Sequence, residues 1–321
     1  MSSSNANPEP GTATVEPLRL RLPSPVEEIH DERLAARDVR LLLKRDDLIN
    51  PDVPGNKWRK LQHNLSAAQR EGHATLLTFG GAYSNHIRAT AAAGHHLGLS
   101  TIGVVRGEEH TPLNPSLQAA VDYGMRLHYM DRETYRHKHE PEVIDQLRDK
   151  FGAFYLVPEG GSNALAVRGC VDIPKEIDEP FDVICCAVGT GGTLAGIAAG
   201  LTEGQRALGF AALKGASFLI PDVRRLQEAT YGRVVGNWSI DLDHHFGGYA
   251  KRRPELDAFI DDFADRHAIW LDWVYVAKMM SGVYDHVEHG SILPGSTVVA
   301  VITGEVPPVA RTPAVRSLGG V

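Results

Sequence analysis

Short apolar runs alternate with stretches of helical spacing along most of this chain. Residues 39–45, Val39-Arg40-Leu41-Leu42-Leu43-Lys44-Arg45, read as a strand that ends in charges. Trp58, Leu61, Leu65 and Ala68 then share one face of a helix over 58–71. From there the pattern repeats in kind. Strands are predicted at 74–79, 101–106 and 126–130, with an Ala-rich helix over 84–97 and another over 115–123. A second series follows: strand 154–157, helix 164–177, strand 181–188, helix 193–201 and strand 207–213. The stretch 219–248 has no clear period. A polar helix over 254–267 leads to an apolar strand at 271–275, a helix over 278–288 and a last strand at 297–302. Strand–helix–strand alternation at this spacing predicts an α/β protein with parallel sheets and right-handed crossovers.

Composition changes this picture little. Hydrophobic residues make up 43% and charged residues 23% of 321, enough apolar material for one large or two moderate domains. Net charge is −7 with both signs interspersed, which argues against nucleic acid or an anionic membrane as partner. No 18-residue apolar stretch occurs, and the N-terminus lacks a secretory pattern. Three cysteines without CxxC spacing argue against a disulfide framework and fit a reducing cytoplasm. Residues 1–17 read as a disordered tail and 305–321 as a Pro-rich one. No low-complexity linker divides the rest, so two domains would require the chain to cross between them more than once.

Four places carry candidate chemistry. Lys57 follows the turn Pro54-Gly55-Asn56 and opens a helix. A partly desolvated lysine there can form an imine with an aldehyde, although spacing alone favours a solvated surface lysine at a helix start. Val188-Gly189-Thr190-Gly191-Gly192-Thr193 joins a buried strand to an Ala/Gly-rich helix. Such a loop suits a phosphate, or is a plain tight turn; it is neither a P-loop nor a strict dinucleotide fingerprint. Gly80-Gly81-Ala82-Tyr83-Ser84-Asn85-His86 is a second glycine turn, where Ser84 is either a helix cap or, with Asn85 and His86, a ligand contact at the carboxyl ends of parallel strands. Tyr249 and Tyr275 flank the last elements and read by themselves as packing residues. The adjacent His244 and His245 point apart in a strand and make a poor chelate, so no metal is expected.

Together these segments resemble fold-type-II enzymes dependent on pyridoxal 5′-phosphate (PLP), of the 1-aminocyclopropane-1-carboxylate (ACC) deaminase and D-cysteine desulfhydrase group. The resemblance runs from about Pro23 to Gly304. It rests on the order of seven motifs: Lys44-Arg45-Asp46-Asp47, Gly55-Asn56-Lys57-Trp58-Arg59-Lys60-Leu61, Gly80 to His86, Pro158-Glu159-Gly160-Gly161-Ser162-Asn163, Val188 to Thr193, Gly247-Gly248-Tyr249 and Val274-Tyr275. It implies a tryptophan synthase β-like fold with PLP in the cleft between a large domain (18–57 and 161–304) and a small one (58–160). It further implies Lys57 as the Schiff-base lysine, Gly189, Thr190, Gly191, Gly192 and Thr193 as the phosphate cradle, and Asn85 on the cofactor's phenolic oxygen. Ser84 would meet the substrate carboxylate, Tyr249 and Tyr275 would be the active-site tyrosines, and Thr303 would lie at the pyridine nitrogen. A homodimer acting on a small amino acid is implied as well.

Departures from the group bear on the substrate. Its ACC deaminases carry Glu directly after the second tyrosine and Leu before the C-terminal Gly-Gly; the desulfhydrase-like members usually carry Thr at both places. Here the positions are Val276 and Thr303. A neutral partner leaves the pyridine nitrogen less cationic and the electron sink weaker, which favours β-elimination of a good leaving group over ring opening. The group's His-Thr-Gly-Gly is replaced by Ile302-Thr303-Gly304-Glu305, and Glu305 brings a charge to the expected ring end, where it either takes over the pyridine-nitrogen role or spoils the site. Three readings therefore stand: a PLP-dependent lyase or deaminase, D-cysteine desulfhydration first and ACC deamination second; a PLP-binding protein that has lost catalysis; and a phosphate-ligand enzyme without PLP.

Overall fold

Successive side chains of a strand point to opposite faces, and in this chain both faces are apolar. The computed structural model describes residues 18–304 apart from Pro54. The expected tails, 1–17 and 305–321 with Glu305, lie outside the described residues.

One sheet has six strands: β1 (Val26–Ile29), β2 (Arg40–Lys44), β7 (Val183–Val188), β8 (Arg206–Ala211), β9 (Trp238–Asp241) and β10 (Thr297–Val301). Their order is β1-β2-β10-β7-β8-β9. The edge strand β1 is antiparallel to β2, and the other pairs are parallel. In β7, Val183, Cys185 and Ala187 enter the core on one face, while Ile184, Cys186 and Val188 enter the core on the other. β10 divides in the same way, Val298 and Ala300 against Val299 and Val301. Burial on both sides explains why these strands read as unbroken apolar runs. The second sheet has four strands, β3 (Thr75–Gly80), β4 (Ser100–Arg106), β5 (Arg126–Met130) and β6 (Tyr155–Val157), all parallel, in the order β5-β4-β3-β6. Among the described residues no helix is long and apolar enough to cross a membrane.

Two sequence expectations need correction. The helix over 164–177 is two helices, Ala164–Cys170 and Asp172–Lys175. Pro174 has no N–H to donate to the Cys170 carbonyl four residues earlier, so the helix cannot run through. The segment 271–275 is not a strand. Asp272 accepts the backbone N–H groups of Val274, Tyr275 and Val276, at 3.0, 3.0 and 2.8 Å. That carboxylate closes a turn and launches the Val276–Glu288 helix. The unperiodic stretch 219–248 contains a helix, Leu219–Tyr231, and β9.

Parallel strands deliver their following loops to one end of a sheet. The loops after β3, β6, β7 and β10 hold residues 81–84, 158–163, 189–191 and 302–304 respectively. Side-chain contacts between these loops, described next, bring the two sheets' carboxyl ends together.

Candidate active site

Lys57 stands in the first turn of the Asn56–Arg70 helix. Gly55, which caps that helix, has φ 65°, and a Cβ there would come within 1.8 Å of the Thr303 carbonyl oxygen. Only glycine lets the start of this helix lie so close to the strand end after β10. Lys57 Nζ donates to Asn56 Oδ1 at 2.6 Å, and Asn56 Nδ2 in turn donates to Thr193 Oγ1 at 2.9 Å. Burial lowers the Lys57 amine to about 8; the charge of Asp272 opposes the shift without cancelling it.

The helix is anchored from behind by buried charges. Arg59 forms a fork onto Asp46, Nε to Oδ2 at 2.7 Å and Nη2 to Oδ1 at 2.8 Å. It also donates to both oxygens of Glu176 at 2.8 Å, and Lys44 Nζ joins Glu176 at the same distance. Two cations and two carboxylates thus balance in a site where Arg59 and Lys44 are almost wholly excluded from water. This accounts for the Lys44-Arg45-Asp46 and Lys57-Trp58-Arg59 motifs occurring together.

Beside Lys57 lies an anion cradle. The Gly192–Gly200 helix has no side-chain cap, so its first N–H groups face the loop end. Lys60 Nζ, one turn beyond Lys57, donates to Ser162 Oγ at 2.7 Å and reaches Thr190 Oγ1 at 3.4 Å. Ser162 and Thr190 hydroxyls are 2.6 Å apart. A Cβ on Gly192 would meet Ser162 Oγ at 2.7 Å and Lys60 Cε at 3.2 Å. Burial, reinforced by the Lys57 charge, lowers Lys60 to about 7. A buried amine, two hydroxyls and an open helix N-terminus suit a phosphate. Sequence reading missed Lys60 and Ser162 as a pair. The signal was their place inside the Lys57 motif and the 158–163 motif.

Ser84 caps the Asn85–His96 helix, its Oγ accepting Ile87 N–H at 3.3 Å. The bland reading of Ser84 therefore describes one role it has, and its hydroxyl proton remains available to a ligand. Asn85 follows it, with its Nδ2 3.7 Å from where a Cβ on Gly304 would lie, so the loops after β3 and β10 meet there. His86 lies behind the loop at 158–163, its Cε1 3.1 Å from where a Cβ on Gly161 would stand. It is buried, with Nε2 2.8 Å from Thr78 Oγ1. Burial and the Lys60 and Lys57 charges hold its imidazole well below its usual range.

Tyr249 and Tyr275 meet edge to face, ring centroids 5.9 Å apart. Burial raises both hydroxyls above the usual tyrosine range. A Cβ on Gly189 would lie 3.1 Å from the Tyr275 ring, which places that tyrosine against the 189–193 loop. Lys278, buried on the Val276–Glu288 helix, donates to the Gly248 carbonyl at 2.7 Å and reaches that of Ala212 at 3.4 Å. It ties the segment carrying Tyr249 to the helix that begins after Tyr275. Thr303 is buried at the end of β10, beside Gly55. Lys57, Asn85, the 189–193 loop, Tyr249, Tyr275 and Thr303 are thus linked through shared contacts.

Two parallel sheets that converge on an amine of lowered pKa and a glycine-lined anion cradle define a class, α/β enzymes that bind a phosphorylated ligand at strand ends. Sequence comparison specifies the class further. The chain belongs to the pyridoxal-phosphate dependent enzyme family, whose model matches residues 20–304. It is 31% identical over 279 residues to a Pyrococcus furiosus protein provisionally named 1-aminocyclopropane-1-carboxylate deaminase, covering 82% of this chain and 84% of that one. It is 29% identical over 289 residues to the D-cysteine desulfhydrase of Klebsiella pneumoniae, covering 83% and 87%. A crystal structure described as an ACC deaminase homologue superposes with a TM-score of 0.78 at 27% identity, covering 90% of this chain and 92% of that one. The protein is a PLP-dependent enzyme of fold type II. The residues present fit that cofactor: an amine for the aldehyde, and a cationic cradle for the phosphate that side chains larger than hydrogen would fill.

Proposed function

We propose that this enzyme is a lyase acting on a small amino acid, with D-cysteine desulfhydration as its reaction: D-cysteine and water give 2-oxoacid, ammonia and sulfide. Lys57 would hold the cofactor's aldehyde carbon. Lys60, Ser162, Thr190 and the N–H groups at 191–193 would hold its phosphate, Asn85 its phenolic oxygen and Thr303 its pyridine nitrogen. PLP, when bound, withdraws electrons from the substrate carbon that loses a proton.

The chain's own groups supply the rest. Lys57, with its amine near 8, exchanges a proton at Cα close to neutral pH. Ser84 and the helix it caps offer donors to the substrate carboxylate. Tyr249 and Tyr275, packed edge to face, would pass a proton to the departing sulfur.

The observation that carries this reading is the pair Val276 and Thr303. Val276 is fully buried directly after Tyr275, and Thr303 is a neutral hydroxyl at the end of β10. Neither provides a carboxylate to hold the pyridine nitrogen protonated. The nearby Asp272 carboxylate is engaged with three backbone N–H groups. A weaker sink suits expulsion of a thiol better than opening of a cyclopropane ring. ACC deamination is the second reading, favoured by the name of the Pyrococcus relative. The resemblance also supports a homodimer, and three cysteines without CxxC spacing fit a reducing cytoplasm.

The test assays sulfide, ammonia and 2-oxoacid from D-cysteine and from ACC side by side. Sulfide from D-cysteine with little ammonia from ACC is expected; the reverse moves the assignment to ACC deamination. A visible cofactor band with no turnover on a broad D- and L-amino-acid panel would leave a cofactor-binding protein. Lys57→Ala should abolish the band, and an unchanged band would remove Lys57 from its proposed role.

A further inference from the structure

The neighbours His244 and His245 do not chelate with each other, but the fold puts a different imidazole beside His244. Asp241 is the last residue of β9, and its Oδ1 accepts the backbone N–H groups of Asp243 and His244 at 2.9 and 3.0 Å, which fixes the carboxylate. His244 Nδ1 approaches Oδ1 at 3.0 Å, and His286, from the last turn of the Val276–Glu288 helix, brings Nε2 to Oδ2 at 2.9 Å. One donor atom from each of the three residues lies within 4.8 Å of the others. Phe210 walls the cluster, its ring edge-on to both imidazoles at 6.1 and 5.6 Å between centroids.

We propose that Asp241, His244 and His286 bind one divalent cation of the zinc type, through the Asp241 carboxylate, His244 Nδ1 and His286 Nε2. Two imidazoles and a carboxylate are a donor set that Zn²⁺ takes, with bonds of about 2.0–2.2 Å and a fourth position left to water. Tetrahedral donors at that radius lie about 3.4 Å apart. The two Asp241–His contacts, at 3.0 and 2.9 Å, run to different oxygens of the carboxylate, so an ion would sit across Oδ1 and Oδ2 with an imidazole closing on it from each side. A second feature supports the site. The other nitrogen of His244, Nε2, faces Asp285 Oδ2 at 3.2 Å, the outer carboxylate that orients a metal-bound imidazole. An ion held here cross-links the end of β9, and the segment leading to Tyr249, to the helix that begins after Tyr275. It lies outside the residues assigned to cofactor and substrate.

The experiment uses tag-free holoenzyme stripped with a chelator and then titrated with Zn²⁺ against a chromophoric indicator. One site per chain is expected. Asp241→Asn and His286→Asn should each weaken it roughly tenfold or more, with the visible cofactor band retained as proof of fold. His137→Asn, an exposed histidine paired with Glu140, should leave it unchanged. No binding, or binding equally strong in both site variants (an adventitious ion only), overturns the proposal. On the unmutated protein, Zn²⁺ should protect His244 and His286 from acylation by diethyl pyrocarbonate, read by peptide mass. Equal modification with and without Zn²⁺ overturns it too.

Discussion

Replacing Lys60 by Met tests the proposed cradle most directly. The methionine keeps most of the side-chain volume in a buried place and removes the amine bonded to Ser162 at 2.7 Å. A hydrogen bond to a charged group contributes about 1.5–3 kcal/mol. That converts to a Kd for PLP weaker by about 10- to 150-fold. The assay is titration of the apoprotein with PLP, followed by the visible band. Dependence on pH sharpens it. In the anion-free protein burial and Lys57 lower Lys60 to about 7, so below pH 7 the amine is mostly cationic and above it mostly neutral. A phosphate favours the cation, so at higher pH binding must first take up a proton at Lys60, which lessens what the amine contributes. The ratio of the variant's Kd to the wild type's is therefore largest below pH 7 and shrinks as pH rises. A Kd within about a factor of two of wild type at pH 6.5 would refute the role. A ratio that grows with pH would refute the protonation argument.

Three other outcomes follow from the same geometry. Arg59→Met leaves Asp46 buried without its fork, which should cost about 3–5 kcal/mol in urea unfolding; Arg59→Met with Asp46→Leu should recover part of it, and a double variant as unstable as the sum of the two single ones would contradict the charge argument. The growth rate of the visible band after mixing apoprotein with PLP should rise with pH to about 8 and level off, because the neutral Lys57 amine is the nucleophile and burial lowers it to about 8; a rate still climbing as for an ordinary lysine near 10.5 would show that Lys57 is not desolvated. Lys278→Met frees the Gly248 carbonyl and with it the Tyr249 segment, so kcat should fall on the order of tenfold with the band intact; loss of the band instead would mark Lys278 as a residue of the cofactor pocket or of the core.

The alternation of apolar runs and helical spacing determined the α/β class, because burial on both faces leaves a local signature in β2, β7 and β10. The glycine loops and the order of the motifs singled out Lys57, Ser84, Asn85, the 189–193 loop and the two tyrosines. Local signals failed where side chain and backbone interact over a few residues. Asp272 turned an apparent strand into the turn that precedes a helix, and Pro174 split a continuous period. The tertiary structure alone decided what depends on pairing across the chain. The last strand, β10, inserts between β2 and β7, and so sets Thr303 against Gly55. Lys60 meets Ser162 and Thr190 from three separate loops and helices. His286 comes to lie beside His244 and Asp241. No period in the sequence encodes these meetings, because they arise from burying apolar faces of elements that are far apart along the chain.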